Sequence, residues 1–480
     1  MAEILIGGQE HKQFKMNAAM ANRHGVISGA TGSGKTVTLQ ILAESFSNLG
    51  VPVFLADIKG DLSGLSVAGQ AHQKIAERIH EIGINDFQFN GNPVVFWDIF
   101  AKKGHPVRTT ISDMGPLLLS NLLELNETQT GLLYSAFKLA DDDGLLLLDL
   151  KDLRSLLRWM GENAKELSAE YGNIASASIG AIQRRLLVLE EQGAAYFFAE
   201  PAVRLEDFCR TDFSGKGVIS ILDATDLSTR SPRLYAAFLL WILSELYETF
   251  PEVGDAERPR LVLFFDEAHL LFDQAPKLLL DKIEQIVRLI RSKGVGIYFI
   301  SQSPMDIPAA ILGQMGLKIQ HALRAFTPKD RKVLKSVAAT FRVNPKIEIE
   351  TALQELKTGE ALVSVLNSDG SPTPVEQILI RPPQSQLGPV TERQRNEMME
   401  RSLFKGRYDR LVDRESAYEL LKRRAEQQRD DIEVRKTRKM ASRRQSVGEA
   451  MLKSAARSIG SHLGRQIVRG IMGSLLGRGR

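Results

Sequence analysis

The chain has 480 residues, enough for one large core domain with attachments or for two to three domains. Its 43% hydrophobic and 25% charged residues are those of a soluble globular protein, and a single cysteine, Cys209, excludes an intramolecular disulfide and a thiolate zinc site, which suits a reducing cytoplasm. The net charge of +4 conceals an asymmetry: residues 434–480 hold twelve Lys or Arg against Glu449 alone, so the rest of the chain stands at −7.

The opening MAEILIGGQEHKQF has no basic region followed by an apolar run, so no secretory signal is expected. Residues 22–28 (NRHGVIS) read as a short strand running into a glycine loop. Residues 37–49 have helical apolar spacing and stop at Gly50. VPVFLA at 51–56 is a strand closed by Asp57, and PVVFWD at 93–98 is another. Strand, glycine loop, helix, strand is the order of a parallel sheet with right-handed crossovers. Residues 113–200 are rich in Leu, Ala, Glu and Arg with three-to-four-residue apolar spacing, which predicts an insertion of four or more helices. Strands return at 217–223, 261–266 and 296–301, separated by helices over 232–250 and 277–293. The first of these helices is the most apolar long stretch, but Glu245 interrupts it and it is shorter than the ~20 residues of a membrane span, so a buried helix and no transmembrane segment are expected. ALVSVL at 361–366 reads as a last strand, and the proline- and turn-rich residues 367–383 as a domain end. From Thr391 the chain is charged and helix-prone. Residues 450–476 set Met451, Ala455, Ile459, Leu463, Ile467, Ile471 and Leu475 near every fourth place with arginines between them, an amphipathic basic helix diluted by glycines. The expected divisions are therefore 1–112 and 201–383 as two halves of an α/β core, 113–200 as a helical insertion and 384–480 as a charged helical extension with a basic tail.

The sharpest motif is Gly29-Ala30-Thr31-Gly32-Ser33-Gly34-Lys35-Thr36, followed by Val37, a full match to GxxxxGK[ST] between a predicted strand and helix. Glycines allow the tight wrap that turns backbone N–H groups toward phosphates, and the helix adds its positive end. Lys35 is expected to reach the β- and γ-phosphates of ATP and the Thr36 hydroxyl to ligate Mg²⁺. The partner motif is LVLFF followed by Asp266, Glu267, Ala268 and His269. Two adjacent carboxylates at the end of a buried strand are costly unless a cation or proton uses them. Asp266 is expected to hold Mg²⁺ and Glu267 to polarise the attacking water; capping of the next helix is the plainer role for Glu267. His269 is read equally as coupled to nucleotide or as packing. Gln302 follows the strand GIYFIS; if that strand lies between the acidic strand and the glycine-loop strand, Gln302 faces the γ-phosphate. Arg288 and Arg291, three apart, are candidates for an arginine reaching a neighbouring subunit's nucleotide, with surface ion pairs as the alternative. Asp57, Lys59 and Asp61 (DIKGD) end the second strand and are read chiefly as turn residues, with shaping of the site or contact with a partner as the alternative.

Taken together, RHGVISGATGSGKT, DIKGDLSGL, LNETQTGLL, LFFDEAHLLF, VRLIRSKGVGIYFISQSPMDIP and QHALRAFTPKD resemble the HerA/FtsK branch of P-loop motors, and look closest to the uncharacterised bacterial YjgR-like family with a HerA-like ATPase domain. The resemblance spans about residues 3–380. It implies a RecA-like, additional-strand core, a homo-oligomeric and usually hexameric ring, nucleotide sites at subunit boundaries, Gln302 as the glutamine after the fourth core strand, and Arg291 in preference to Arg288 as the residue acting in trans. It departs at the start: HerA motors carry a β-barrel ahead of the ATPase, and a glycine loop beginning at Gly29 leaves no room for one. The expected function is that of a Mg-dependent ATP hydrolase, an ATP-driven translocase or helicase-like motor on double-stranded DNA. The competing reading is an ATP-switched assembly or membrane-associated scaffold, its tail (434–480) bound to anionic lipid or a partner protein. A cytoplasmic location, peripheral to the membrane in the second case, follows from either. A small-molecule kinase is disfavoured by the Asp-Glu pair.

Overall fold

The computed structural model describes residues 2–254, 256–273, 277–427 and 429–430. The apolar runs expected as buried strands form a single sheet with additional strands that the composition conceals. In chain order these are β1 (Glu3–Gln9), β2 (Lys12–Asn17), β3 (Gly25–Ser28), β4 (Val53–Asp57), β5 (Val94–Asp98), β6 (His105–Pro106), β7 (Ile219–Asp223), β8 (Leu261–Phe265), β9 (Val295–Ser301), β10 (Leu317–Gln320), β11 (Glu360–Ser364) and β12 (Glu376–Ile380). Their order across the sheet is β2-β1-β12-β11-β10-β3-β9-β8-β4-β7-β5-β6. Every pairing from β10 to β6 is parallel. The four from β2 to β10 are antiparallel.

The parallel strands explain their own composition. Every residue of β3, β4, β7, β8 and β9 is buried, as strands covered by helices on both faces must be. Behind the glycine loop, helix α1 (Lys35–Asn48) buries Leu39, Ile41, Leu42, Ala43 and Phe46 against the sheet. Phe264 of β8 stacks on Tyr298 of β9 with centroids 4.9 Å apart, and Phe46 meets both rings. β9 lies between β3 and β8, the order that the expectation for Gln302 required.

Helix α2 (Gln73–Ile82) follows β4. Residues 111–189 form α3 (Ile111–Leu122), α4 (Glu127–Asp142), α5 (Leu150–Glu162), α6 (Ala164–Tyr171) and α7 (Ser176–Leu189). Reciprocal capping boxes start three of them, at Thr110 with Asp113, Asn126 with Gln129 and Asp149 with Asp152. The apolar stretch at 232–250 is the helix Pro232–Thr249, whose buried residues include Phe238, Leu239, Trp241 and Ile242. No described helix is long and apolar enough to cross a membrane.

Residues 367–383 contain β12, the last described strand of the sheet, which pairs with both β1 and β11. The chain then fastens this edge to α1. The Glu44 side chain is fully buried and accepts N–H bonds from Ser385 (2.8 Å) and Gln384 (3.0 Å). Arg381 lies 3.4 Å from Glu44 and donates to Ile41 O, Ser45 Oγ and Leu5 O at 3.0–3.1 Å. The basic amphipathic segment expected at 434–480 lies outside the described residues.

Removing one member of a buried, hydrogen-bonded charge pair leaves the other uncompensated. Glu44→Ala is expected to lower unfolding stability by about 3–5 kcal/mol in denaturant titration. A loss below about 1 kcal/mol would mean that the Arg381 network does not fasten the edge to α1.

Candidate functional site

The glycine loop is held from three sides. Gly29, with φ of +149°, has its backbone so near His321 that a Cβ there would lie 2.6 Å from the His321 Cβ. Ala30 N–H donates to Ala322 O (2.9 Å), and Gly359 N–H donates to Ser33 O (2.9 Å). Ser28 Oγ donates to Gln320 Oε1 (2.6 Å) one step before the loop. Thr31 and Gly32 form the exposed crest, with Gly32 at φ +77°. Gly34, left-handed at φ +116°, caps α1, which begins at Lys35. The first-turn amides of Lys35, Thr36 and Val37 therefore have no intrahelical acceptor and point at the loop. The Val37 side chain is half-buried and packs against the core.

Inside the loop, Lys35 Nζ donates to Gly29 O (2.6 Å) and Ala30 O (3.1 Å). Burial first, and then the Lys59 ammonium, hold Lys35 below its ordinary range, with Glu267 and Asp266 opposing. Burial pushes the Asp61 carboxyl above its ordinary range, with the Lys59 ammonium and the nearby Thr36 hydroxyl opposing.

β8 ends at Phe265 and delivers Asp266 and Glu267 beside the loop. Asp266 is buried, and burial pushes its carboxyl up to about 6 against the pull of Lys59. Glu267 adopts φ +47°, a left-handed conformation that costs a non-glycine residue of order 1 kcal/mol and is concentrated at functional sites. Lys59 Nζ sits 2.7 Å from Glu267 Oε1 and 3.9 Å from Asp266 Oδ2. Two buried carboxylate oxygens, Asp61 Oδ1 and Glu267 Oε2, have no hydrogen-bond partner. His269 Nδ1 is 3.4 Å from that Glu267 oxygen, close enough for charge contact without hydrogen-bond geometry. Orphan carboxylate oxygens beside a helix-terminal hydroxyl suit a hard divalent cation, and the loop suits a polyphosphate. Those oxygens belong to Asp61 and Glu267, with Thr36 and Asp266 beside them.

Gln302 follows the end of β9 and is exposed. It lines a cavity of about 640 Å³ with Ala30, His269, Arg324 and Lys329. Residue 301 of β9 is in register with residue 28 of β3, so Gln302 stands beside the entry of the glycine loop.

The arginines are elsewhere. Arg288 pairs with Glu284 at 2.6 Å on an exposed helix face, and Arg291 lies in the 3₁₀ turn Ile290–Lys293 just before β9. Seven residues of β9, about 20 Å of strand, separate them from the loop of the same chain. Arg291 shares a cavity of about 320 Å³ with Arg23, Lys318 and Arg342. No carboxylate lines that cavity among the described residues. Burial lowers Lys318, with no compensating charge. Reading by motif passed over Arg23, which precedes β3, and Lys318, an isolated cation within an apolar strand. His321 lies within QHALRAF with no spacing to mark it, and Lys59 lies within the DIKGD turn.

The profile of the family described as helicase HerA-like C-terminal matches residues 3–480. A curated relative, the DNA double-strand break repair helicase HerA of Sulfurisphaera tokodaii, is 22% identical over 371 residues, 75% of this chain and 65% of the relative. The chain thus spans 65% of that protein's length. Among solved structures, VirB4 of Thermoanaerobacter pseudethanolicus is similar at TM-score 0.52 and 18% identity, covering 79% of this chain and 96% of that one. The plasmid coupling protein TrwB, solved with ADP and Mg²⁺, is similar at TM-score 0.51 and 13% identity, covering 80% and 97%. At these identities the likeness concerns the fold, a RecA-like α/β core.

Two buried histidines clamp the ends of β3, and both are built to be neutral. His24 Nε2–H donates to Val287 O (2.7 Å) while Nδ1 accepts from Ile297 N–H (3.0 Å). His321 Nδ1–H donates to Glu360 O (2.9 Å) and Nε2 accepts from Thr38 Oγ1 (2.8 Å). Burial lowers each from 6.5 to about 4. The unfolded chain therefore binds more protons between those values. Their contribution is complete above pH 6.5 and is lost as pH falls toward 4, by up to about 1.4 kcal/mol per pH unit for each histidine. Asp266, raised to about 6, and Asp57, raised to about 7, contribute with the opposite sign over this range, so the readout is a difference: between pH 7 and 4, His321→Gln should lose less stability than the wild type in unfolding titrations. An unchanged slope in that variant would mean that His321 is not buried neutral.

Proposed function

We propose a function from one premise: this chain belongs to the helicase HerA-like C-terminal family. It is a Mg-dependent ATPase that hydrolyses ATP to ADP and phosphate and uses the cycle to move on double-stranded DNA. The observation that carries the reading is the convergence of the Gly29–Thr36 loop, held by backbone hydrogen bonds, with Asp266 and Glu267, held by the Lys59 ammonium. The solved TrwB with ADP and Mg²⁺ supports the ligand, and the relative named as a double-strand break repair helicase supports the substrate.

Bound Mg²⁺ supplies charge neutralisation at the phosphate oxygens. Thr36 and Asp266 hold that ion, and the loop amides with Lys35 hold the phosphates. Glu267 orients and polarises the attacking water, and Gln302 sits at the γ-phosphate end as a sensor of its presence. Arg288 and Arg291 cannot serve their own loop from the far end of β9. Arg291, in its cation-lined cavity with Arg23, faces a neighbour's nucleotide, and Arg288 stands as the alternative. The assembly is a homo-oligomeric ring, hexameric as the resemblance implies. Residues 1–112 and 201–383 act as the two halves of the motor core, 113–200 as its insertion and 384–480 as its extension, and the chain sits with the YjgR-like proteins in the cytoplasm. The scaffold reading, with a peripheral membrane contact, rests on residues 434–480, which lie outside the described residues.

Glu267→Gln should bind nucleotide normally and turn over at least ~10²-fold more slowly, read by phosphate release beside a nucleotide-binding titration. Wild-type turnover in that variant would remove Glu267 from its role. For the ring, Arg291→Ala and Lys35→Ala proteins, each inactive alone, should regain turnover when mixed, since each supplies what the other lacks across a boundary. Full activity in a strictly monomeric preparation contradicts the trans arrangement.

A further inference from the structure

The DIKGD segment is more than a turn. Asp57 is buried at the end of β4 and accepts N–H bonds from Gly60 (2.7 Å) and Leu62 (3.0 Å) through its two carboxylate oxygens. Gly60 takes φ +77°, a conformation that suits glycine at the turn. Lys59 is thus carried on a fixed turn, and its side chain, 38% exposed, crosses to the carboxylate pair after β8. It bonds Glu267 at 2.7 Å and stands 3.9 Å from Asp266. These two side chains are 12% and 7% exposed, so the pair is nearly dry while the lysine keeps a route to solvent.

The other charged groups around this ammonium are Lys35 and Asp61. Lys35 is turned away onto Gly29 O and Ala30 O, and it is not within ion-pair distance of either acid. Lys59 therefore supplies the contact cation for two adjacent buried carboxylates. Burial alone would depress it, but Asp266, Glu267 and Asp61 overcome that and hold it above its ordinary range. Asp61, two residues on, leaves its buried Oδ1 without a hydrogen-bond partner near the Thr36 hydroxyl, so one short turn borders both sides of the cation site.

We propose that Lys59 is a positioning residue that stands in for the divalent cation: its ammonium neutralises Asp266 and fixes Glu267 in the nucleotide-free protein, and it must leave the pair for the metal to bind. This rests on the reading of Thr36 and Asp266 as the cation's ligands. A monovalent cation on a carboxylate competes directly with a divalent one for the same oxygens. Lys59 thereby sets how much Mg²⁺ the empty site accepts, and keeps Glu267 turned from a water-activating pose until metal and nucleotide arrive together. Once released, the ammonium is free to follow the phosphate charge, which would link the β4 turn to nucleotide occupancy.

The test uses the full chain without nucleotide and Mn²⁺ as the probe, with free metal read by electron paramagnetic resonance. Lys59→Gln should bind Mn²⁺ at least about tenfold more tightly than the wild type, because two carboxylates lose their internal cation. Lys59→Arg, which keeps the charge, should stay within about threefold of wild type, a rescue that a merely structural lysine would not show. Adding Asp266→Asn to Lys59→Gln should abolish the gain. Equal or weaker Mn²⁺ binding by folded Lys59→Gln, with Asp266→Asn still weakening it, overturns the role of Lys59 and leaves the cation site intact. Tighter binding that Asp266→Asn does not touch places the metal elsewhere and overturns the cation site as well. Circular dichroism confirms folding of each variant. Should Lys59→Gln not fold, Lys59→Met replaces it, with the same outcomes.

Discussion

Two carboxylates side by side at the end of a buried strand cannot both be charged without a cation in contact. That constraint organises the centre of this protein. β8 is apolar on both faces because helices cover it on both sides, and it ends by presenting Asp266 and Glu267 into a nearly dry space. Burial raises Asp266 toward about 6, and Lys59 pulls it back. The positive φ of Glu267 adds backbone strain at the same place. A fold that tolerates both costs has tight support around them. Here that support is β4 on one side, carrying Lys59, and β9 on the other, carrying Gln302.

The glycine loop is constrained in a different way. Its shape follows from close backbone approach, in which Gly29 admits no Cβ against His321 and Ala30 and Ser33 bond to segments that lie far along the chain. Those segments flank β10 and β11, on the antiparallel side of the sheet. That side is fastened in turn to α1 by the buried Glu44 and Arg381. The loop and the carboxylates therefore belong to one rigid arrangement, built from strands that alternate between the two halves of the chain. The neutral His24 and His321 lock opposite ends of the same central strand, β3.

Much of this was legible in the sequence for physical reasons. Parallel strands buried on both faces read as unbroken apolar runs, so β4, β7, β8 and β9 stood out. The strand-loop-helix order fixed where Gly29–Thr36 would lie, and LVLFF placed Asp266 and Glu267 at the end of a buried strand. What escaped notice was short, polar or masked by turn residues. β10 has four residues, one of them Lys318. β12 is enclosed by prolines, which hide a strand that pairs antiparallel on both sides near the edge of the sheet, where alternating burial suffices. β1 and β2 alternate as a hairpin at the edge, with Gly7 and Gly8 weakening the signal. Lys59 and His321 had no spacing to reveal them: their roles depend on which strands become neighbours, and sequence separation carries no trace of that. The arginines illustrate the converse. Arg288 and Arg291 read as neighbours on a helix, but only the sheet shows that they stand a strand's length from their own loop.

One cation site, as proposed, is shared in turn by Lys59 and a divalent metal, beside a glycine loop suited to nucleotide phosphates. The most direct measurement is an experimental structure of the full chain with Mg²⁺ and a non-hydrolysable ATP analogue. The account predicts the triphosphate along Gly29–Thr36, the metal between the Thr36 hydroxyl and the Asp266 side, and Lys59 moved off Glu267. Nucleotide bound away from that loop, or a metal-loaded site with Lys59 still in contact with Glu267, would contradict it.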